Sequence, residues 1–154
     1  MNIIYLGIYN NLIKLTRNKN LYTNIKQDTF YLRMIIFFLH LSFFLRNFKN
    51  VETKKNLQNF FDFCVRQVEL SIREIGYGDA TINKKMKDYI NLLFSMIDKI
   101  HDWNNKTNSQ KVEILKIYLD KDADVKYILD YVEKYRVFLL KNTFKNLSKD
   151  ILNF

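Results

Sequence analysis

The chain's two histidines and single cysteine come first, because a Cys–His pair can supply a nucleophile with its general base. His40 lies in the most apolar stretch of the sequence, and Cys64 lies on the apolar side of the periodic run 57–75. A buried free thiol behaves as a small hydrophobe, and a lone buried imidazole satisfies a backbone carbonyl more readily than it attacks a substrate. Two histidines, one cysteine and no carboxylates clustered at ligand spacing cannot close a zinc site, so neither metal nor other cofactor is expected. His101-Asp102 reads as a helix-end pair, where a cationic histidine would suit the dipole. Gly76-Tyr77-Gly78 resembles the opening of a dinucleotide fingerprint, but that motif follows a strand whereas this one follows a helical run. Enzyme is the class these residues support least.

What remains is charge. The chain carries 25 Lys and Arg against 16 Asp and Glu, a formal net charge of +9. Such a balance favours ribosomes, RNA or an anionic membrane surface as partners. The basic residues gather at Lys84, Lys85 and Lys87, and again at Lys134, Arg136, Lys141, Lys145 and Lys149. Either group reads as a binding footprint or as an ordinary solvated face.

These residues must be positioned by helices. The sequence has no proline and only three glycines, whereas a β-rich chain needs both for its many turns. With 48% hydrophobic and 16% aromatic residues, a chain of 154 residues can bury a substantial core as one domain, 1–154. Periodicity places a first helix through Ile4, Ile8, Leu12 and Leu15, then a polar connector from Tyr22 to Thr29. A central helix, apolar nearly all round, follows from about Phe30 to Phe48. Its apolar run, Met34 to Leu45, falls short of the ~20 residues of a membrane span, so a buried core helix is expected. The next helix runs from near Val51 to Gly76, with Leu57, Phe60, Phe61, Cys64, Val68, Ile72 and Ile75 inward and Asp62, Arg66, Glu69 and Arg73 outward. Asp79 or Thr81 caps a helix reaching about His101, with its stripe at Met86, Tyr89, Ile90, Leu93, Phe94, Ile97 and Ile100. Trp103 to Asn108 reads as a polar loop, Ser109 as the cap of a short helix, and the last helix as running from Asp124 towards Leu152. The expected fold is all-α, a single compact bundle of about six helices.

One segment is more specific than these patterns. Asp28-Thr29, Arg33-Met34, Leu39-His40-Leu41, Leu45-Arg46 and Phe61-Asp62 lead into Ser71-Ile72-Arg73-Glu74-Ile75-Gly76-Tyr77-Gly78-Asp79 and Ile82-Asn83-Lys84-Lys85-Met86-Lys87. This stretch, Asp28 to Phe94, resembles the ubiquinol–cytochrome c chaperone family, assembly factors of respiratory complex III. It departs from the family at Ile25-Lys26-Gln27-Asp28 and Leu32, where a Val-Pro-Asp-Thr turn and a glycine are usual, and at Gln67 and Glu69, two acidic positions of the third helix.

The resemblance implies a helical fold and a non-enzymatic role: holding newly made cytochrome b during assembly, beside the ribosome and with a possible second assembly factor, at the inner membrane and without DNA. The apolar stretch Met1 to Tyr9 lacks the basic region and cleavage site of a signal peptide, and one cysteine permits no intrachain disulfide. The setting expected is therefore cytoplasmic, peripheral at the inner face of a bacterial inner membrane, or the matrix side in a mitochondrion. The residues expected to meet the client are His40, Arg73, Glu74, Gly76, Gly78, Asp79, Lys84, Lys85 and Lys87. Turn and cap chemistry accounts for Gly76, Gly78 and Asp79 equally well. A ribosome- or RNA-binding helical module and a helical carrier of a small apolar ligand, such as a quinone or lipid, are the rival readings.

Overall fold

In the computed structural model, which describes residues 2–149 and 154, seven α-helices and two 3₁₀ turns build an all-α bundle, with no strand among the described residues. The organising element is α3, Phe30–Phe48. Its 19 residues bury Leu32, Met34 through Phe44 and Phe48, and α1, α5 and α7 pack around it. By length and composition alone α3 could cross a membrane, but 67% of its most apolar window is buried inside the protein. The 12-residue apolar run is thus the middle of a longer helix, extended at both ends by Arg33 and Arg46.

All the α-helices but α5 begin where a short polar side chain replaces a missing helical partner. Asn2 caps α1, Ile3–Thr16; Thr29 caps α3; Thr53 caps α4, Lys54–Ile75. Thr107, not Ser109, caps α6, Asn108–Tyr118, in a reciprocal box with Gln110, two residues earlier than the sequence pattern places it. Asp124 caps α7, Val125–Leu140.

Three expectations are corrected. The first half of the connector 22–29 is helix: α2, Lys19–Ile25, is capped by Asn18 and buries Leu21, Tyr22 and Ile25 before Lys26 turns left-handed at φ 65°. Trp103 is not in a polar loop but in a 3₁₀ turn, Trp103–Asn105, with its ring fully buried. Nor does the last helix run on: α7 stops at Leu140. There Asn142 donates to the Phe138 carbonyl and Thr143 accepts from the Asn146 amide, local bonds that compete with helix continuation. The expected end at Leu152 lies outside the described residues.

That stop has a packing reason. It swings Phe144 back onto the core, where its ring lies 5.6 Å from Phe44 and 5.7 Å from Phe48 and Phe60. Leu147 follows, and Asn11 of α1 clamps the segment by donating to the carbonyls of Leu147 at 2.8 Å and Lys149 at 2.7 Å. Gly7 makes this possible: a Cβ there would collide with the backbone oxygen of Ser148.

Candidate functional site

The family-like block folds as a helical corner. α4 is capped by Gly76, whose φ of 102° suits a residue without a Cβ, and α5, Asp79–Ile100, begins three residues after it. Gly78 sits at the helix start with an ordinary φ of −71°, and nothing lies within 4 Å of where its Cβ would be. The two glycines are therefore unlike: the backbone needs one and not the other. Gly76→Ala is expected to cost about 1–2 kcal/mol. Gly78→Ser should be neutral or gain a few tenths, because the hydroxyl adds the cap the helix lacks. Urea denaturation of both variants checks this; equal losses at the two positions would refute it.

Neither Asp79 nor Thr81 is the N-cap. Gly78 takes that position without a side-chain bond, and Asp79, in the first turn, reaches back across the corner to Arg73. The Arg73 Nη1–Asp79 Oδ1 distance is 2.8 Å, and Glu69 lies 3.6 Å from the same guanidinium. Arg73 thus pairs with Asp79 and Glu69, not with its neighbour Glu74, which stays exposed. All of these groups face water, so the pairs orient the corner more than they stabilise it.

The sequence left unseen what this corner exposes. Ile75 is 50% and Tyr77 42% accessible at the end of α4, with Leu70 also exposed one turn earlier. Lys85 lies over the Tyr77 ring with Nζ 4.7 Å from its centroid, and Lys84 and Lys87 are exposed beside it on α5. Tyr31, 56% accessible at the start of α3, and Tyr77 each act electrostatically on Tyr89, which is buried on α5. The result is a tyrosine-rich surface with a basic edge. Tyrosine offers large, stiff contact area at low entropic cost, which suits it to protein recognition.

The start of α3 is similarly built. Thr29 accepts from the Leu32 amide. Asp28 grips Arg33 with two bonds, 2.7 and 3.0 Å, holding the Asp28 carboxyl below the usual range. Behind it, Ile13, Phe30, Met34, Phe37 and Val68 line an apolar groove of about 240 Å³ with Arg17 and Arg33 at its edge.

His40 does not join this surface. It is 1% exposed in the middle of α3. Its Nδ1 lies 2.8 Å from the Ile36 carbonyl, which requires an Nδ1–H, and its Nε2 lies 2.6 Å from the Tyr131 hydroxyl, which donates to it when the ring is neutral. Tyr135 donates to the His40 carbonyl at 2.8 Å. Cys64 is also fully buried, with its thiol pushed far up by desolvation, and no bond joins it to His40. Among the described residues no group of three or more His, Cys, Asp or Glu could hold a metal. Of the expected client residues, then, Arg73, Glu74, Gly76, Gly78, Asp79, Lys84, Lys85 and Lys87 share the corner, and His40 belongs to the core.

No curated protein and no solved structure matches this chain. Residues 26–101, however, match the family described as Ubiquinol-cytochrome C chaperone. That span runs from the Asp28–Arg33 pair through α3, the corner and all of α5. The central segment of this chain, 26–101, is that of the ubiquinol-cytochrome C chaperone family.

Proposed function

We propose that this protein is an assembly chaperone of ubiquinol–cytochrome c reductase that binds newly made cytochrome b and releases it unchanged, without catalytic turnover. The observation that carries the reading is the family match over 26–101. It coincides with the helices that build the tyrosine-rich corner. A protein client requires exposed apolar and aromatic contacts, and Tyr31, Ile75 and Tyr77 supply them. Lys84, Lys85 and Lys87 give the same face a positive edge, useful beside ribosomal RNA and anionic lipid. Arg73 and Asp79 hold the angle between α4 and α5 and so set the shape of that face. In this reading the chain acts as one domain, peripherally on the membrane that receives the client, on its cytoplasmic or matrix side.

The test is a crosslinked pull-down of the tagged protein from its native cell, with and without nuclease, scored by mass spectrometry. Recovery of cytochrome b that survives nuclease is expected, with loss of that recovery in a Tyr31→Ser/Tyr77→Ser variant. Recovery of ribosomal components alone, abolished by nuclease, would overturn the proposal in favour of an RNA-binding module.

A further inference from the structure

At the end of the bundle away from the corner, α3, α4 and α5 leave an open groove of about 330 Å³. Its floor is apolar: Leu45, Leu57, Phe61, Phe94 and Ile97. Phe61 and Phe94 stack across it, ring centroids 5.6 Å apart and planes within 12°. Phe94 is 53% accessible, although the periodic pattern of α5 points it inward. A stacked aromatic pair left half in water is an unfinished contact.

The rim is basic. Arg46, Lys49, Lys54 and His101 line the groove, and no acidic residue does. Arg46 is anchored, its Nε–H donating to the Ile100 carbonyl at 3.1 Å. Lys49 and Lys54 are exposed and in no ion pair among the described residues. Lys54 and Lys55 moreover open α4, whose first turn has no acidic residue. Cations at a helix N-terminus oppose the dipole, and an anion seated there would relieve both.

We infer that this groove binds one anionic phospholipid, an acyl chain lying on Phe61, Phe94, Leu57 and Ile97 with its phosphate held by Lys49 and Lys54. Size separates this occupant from a client helix. A helix is about 10 Å across, so 330 Å³ would take only about 4 Å of its length, less than one turn. A single alkyl chain is thin enough, and the volume falls at the lower end of small-ligand pockets, about 300–1,000 Å³. The aliphatic part of the floor, Leu45, Leu57 and Ile97, offers a nucleobase no hydrogen-bond partner, so an alkyl chain fits it better than RNA does. The inference takes from the proposed function only the nearness of a membrane, and its test uses purified protein without client, so the two fail separately.

The probe is a set of vesicles of phosphatidylcholine with or without phosphatidylglycerol, some carrying a photoreactive group on the acyl chain of the anionic lipid. Wild-type protein is expected to co-sediment with the anionic vesicles and to give photo-adducts at Phe61, Phe94 or Ile97. Phe94→Ser should lose the adducts. Because Phe94 is half exposed, the variant should remain folded, which circular dichroism checks. Lys49→Gln/Lys54→Gln, two surface changes, should weaken binding about fivefold per lysine. Lys84→Gln/Lys85→Gln/Lys87→Gln should change it less than about twofold. Those lysines are about 10–15 Å along α5 from Phe94, the nearest residue of the groove, beyond the Debye length of about 8 Å. Equal binding to uncharged vesicles, equal losses in both lysine sets, or adducts that fall outside the groove would overturn the inference. So would adducts at Phe61 and Phe94 that form with an apolar peptide and never with lipid.

Discussion

Truncating Trp103 to alanine is expected to cost about 3–5 kcal/mol of folding stability, the largest single-residue effect in the molecule. The indole is fully buried and meets Phe43 of α3 edge-on, centroids 5.0 Å apart at 81°. Its Nε1–H donates to Glu133 of α7 at 2.9 Å. The same carboxylate receives Lys111 of α6 at 3.1 Å and Arg136 at 2.6 Å, and Lys111 also lies 5.3 Å from the indole centroid. Burial raises the Glu133 carboxyl, yet the bonds from Trp103 and Lys111, with the Arg136 charge, outweigh it and leave the group below its usual range. One aromatic residue thus ties α3, α6 and α7 together. Trp103→Phe keeps most of the apolar contact and loses only the donor, so a smaller cost of about 1–3 kcal/mol is expected. Both are read by urea denaturation followed by far-UV circular dichroism, since Trp103 is the only tryptophan and its fluorescence vanishes with it. A cost for alanine below about 1 kcal/mol would show that the 3₁₀ turn is not part of the core.

That knot was invisible in the sequence because its partners are distant: Glu133 lies 30 residues from Trp103, and a single apolar residue between polar ones carries no period. Long elements were legible for the opposite reason. The inward stripe of α4 is correctly read at Phe60, Cys64, Val68 and Ile72, and the limits of α3 at Phe30 and Phe48 coincide with a capped start and the end of its apolar run. Periodicity failed at its margins. Ile75 and Phe94 keep the spacing of their stripes but extend past the neighbours that would cover them, and remain 50% and 53% accessible. α2 has seven residues, too few to show a repeat. The stop of α7 comes from Phe144 finding Phe44, Phe48 and Phe60, a tertiary contact that local propensity cannot anticipate. At the candidate site the residue block was legible through its family resemblance, whereas its geometry was not. Arg73 selects Asp79 over Glu74 because the turn at Gly76 brings the start of α5 under the guanidinium. The Asp28–Arg33 pair has a spacing of five that helix-pair rules do not flag. Tyr31 and Tyr77 are two of ten tyrosines, and only packing distinguishes the exposed ones.

Acidification is expected to remove about 3 kcal/mol of stability through His40 alone. Burial is the main cause of its pKa falling from 6.5 to about 4; the bond to the Ile36 carbonyl opposes the shift without cancelling it. In the unfolded chain His40 takes up a proton near pH 6.5, whereas in the folded protein it does so only near pH 4. Between those values the unfolded state binds more protons, so stability falls as pH drops through this window and is complete above it. The shift of about 2.5 units corresponds to about 3 kcal/mol at 1.36 kcal/mol per unit. Its neighbours cannot offset a charge: Tyr131 and Tyr135 face the ring with phenols whose own pKa values are raised by burial, and neither ionises in this range. Asp28 and Glu133, both held below their usual range, add acid sensitivity of their own, so the informative quantity is a difference of slopes. His40→Gln retains a donor for Ile36 and an acceptor for Tyr131 but cannot titrate. Urea denaturation of both proteins between pH 4 and 7 should show wild type losing the additional stability and the variant not. Parallel curves would mean that water reaches the imidazole, which would return His40 to the set of residues able to meet a client.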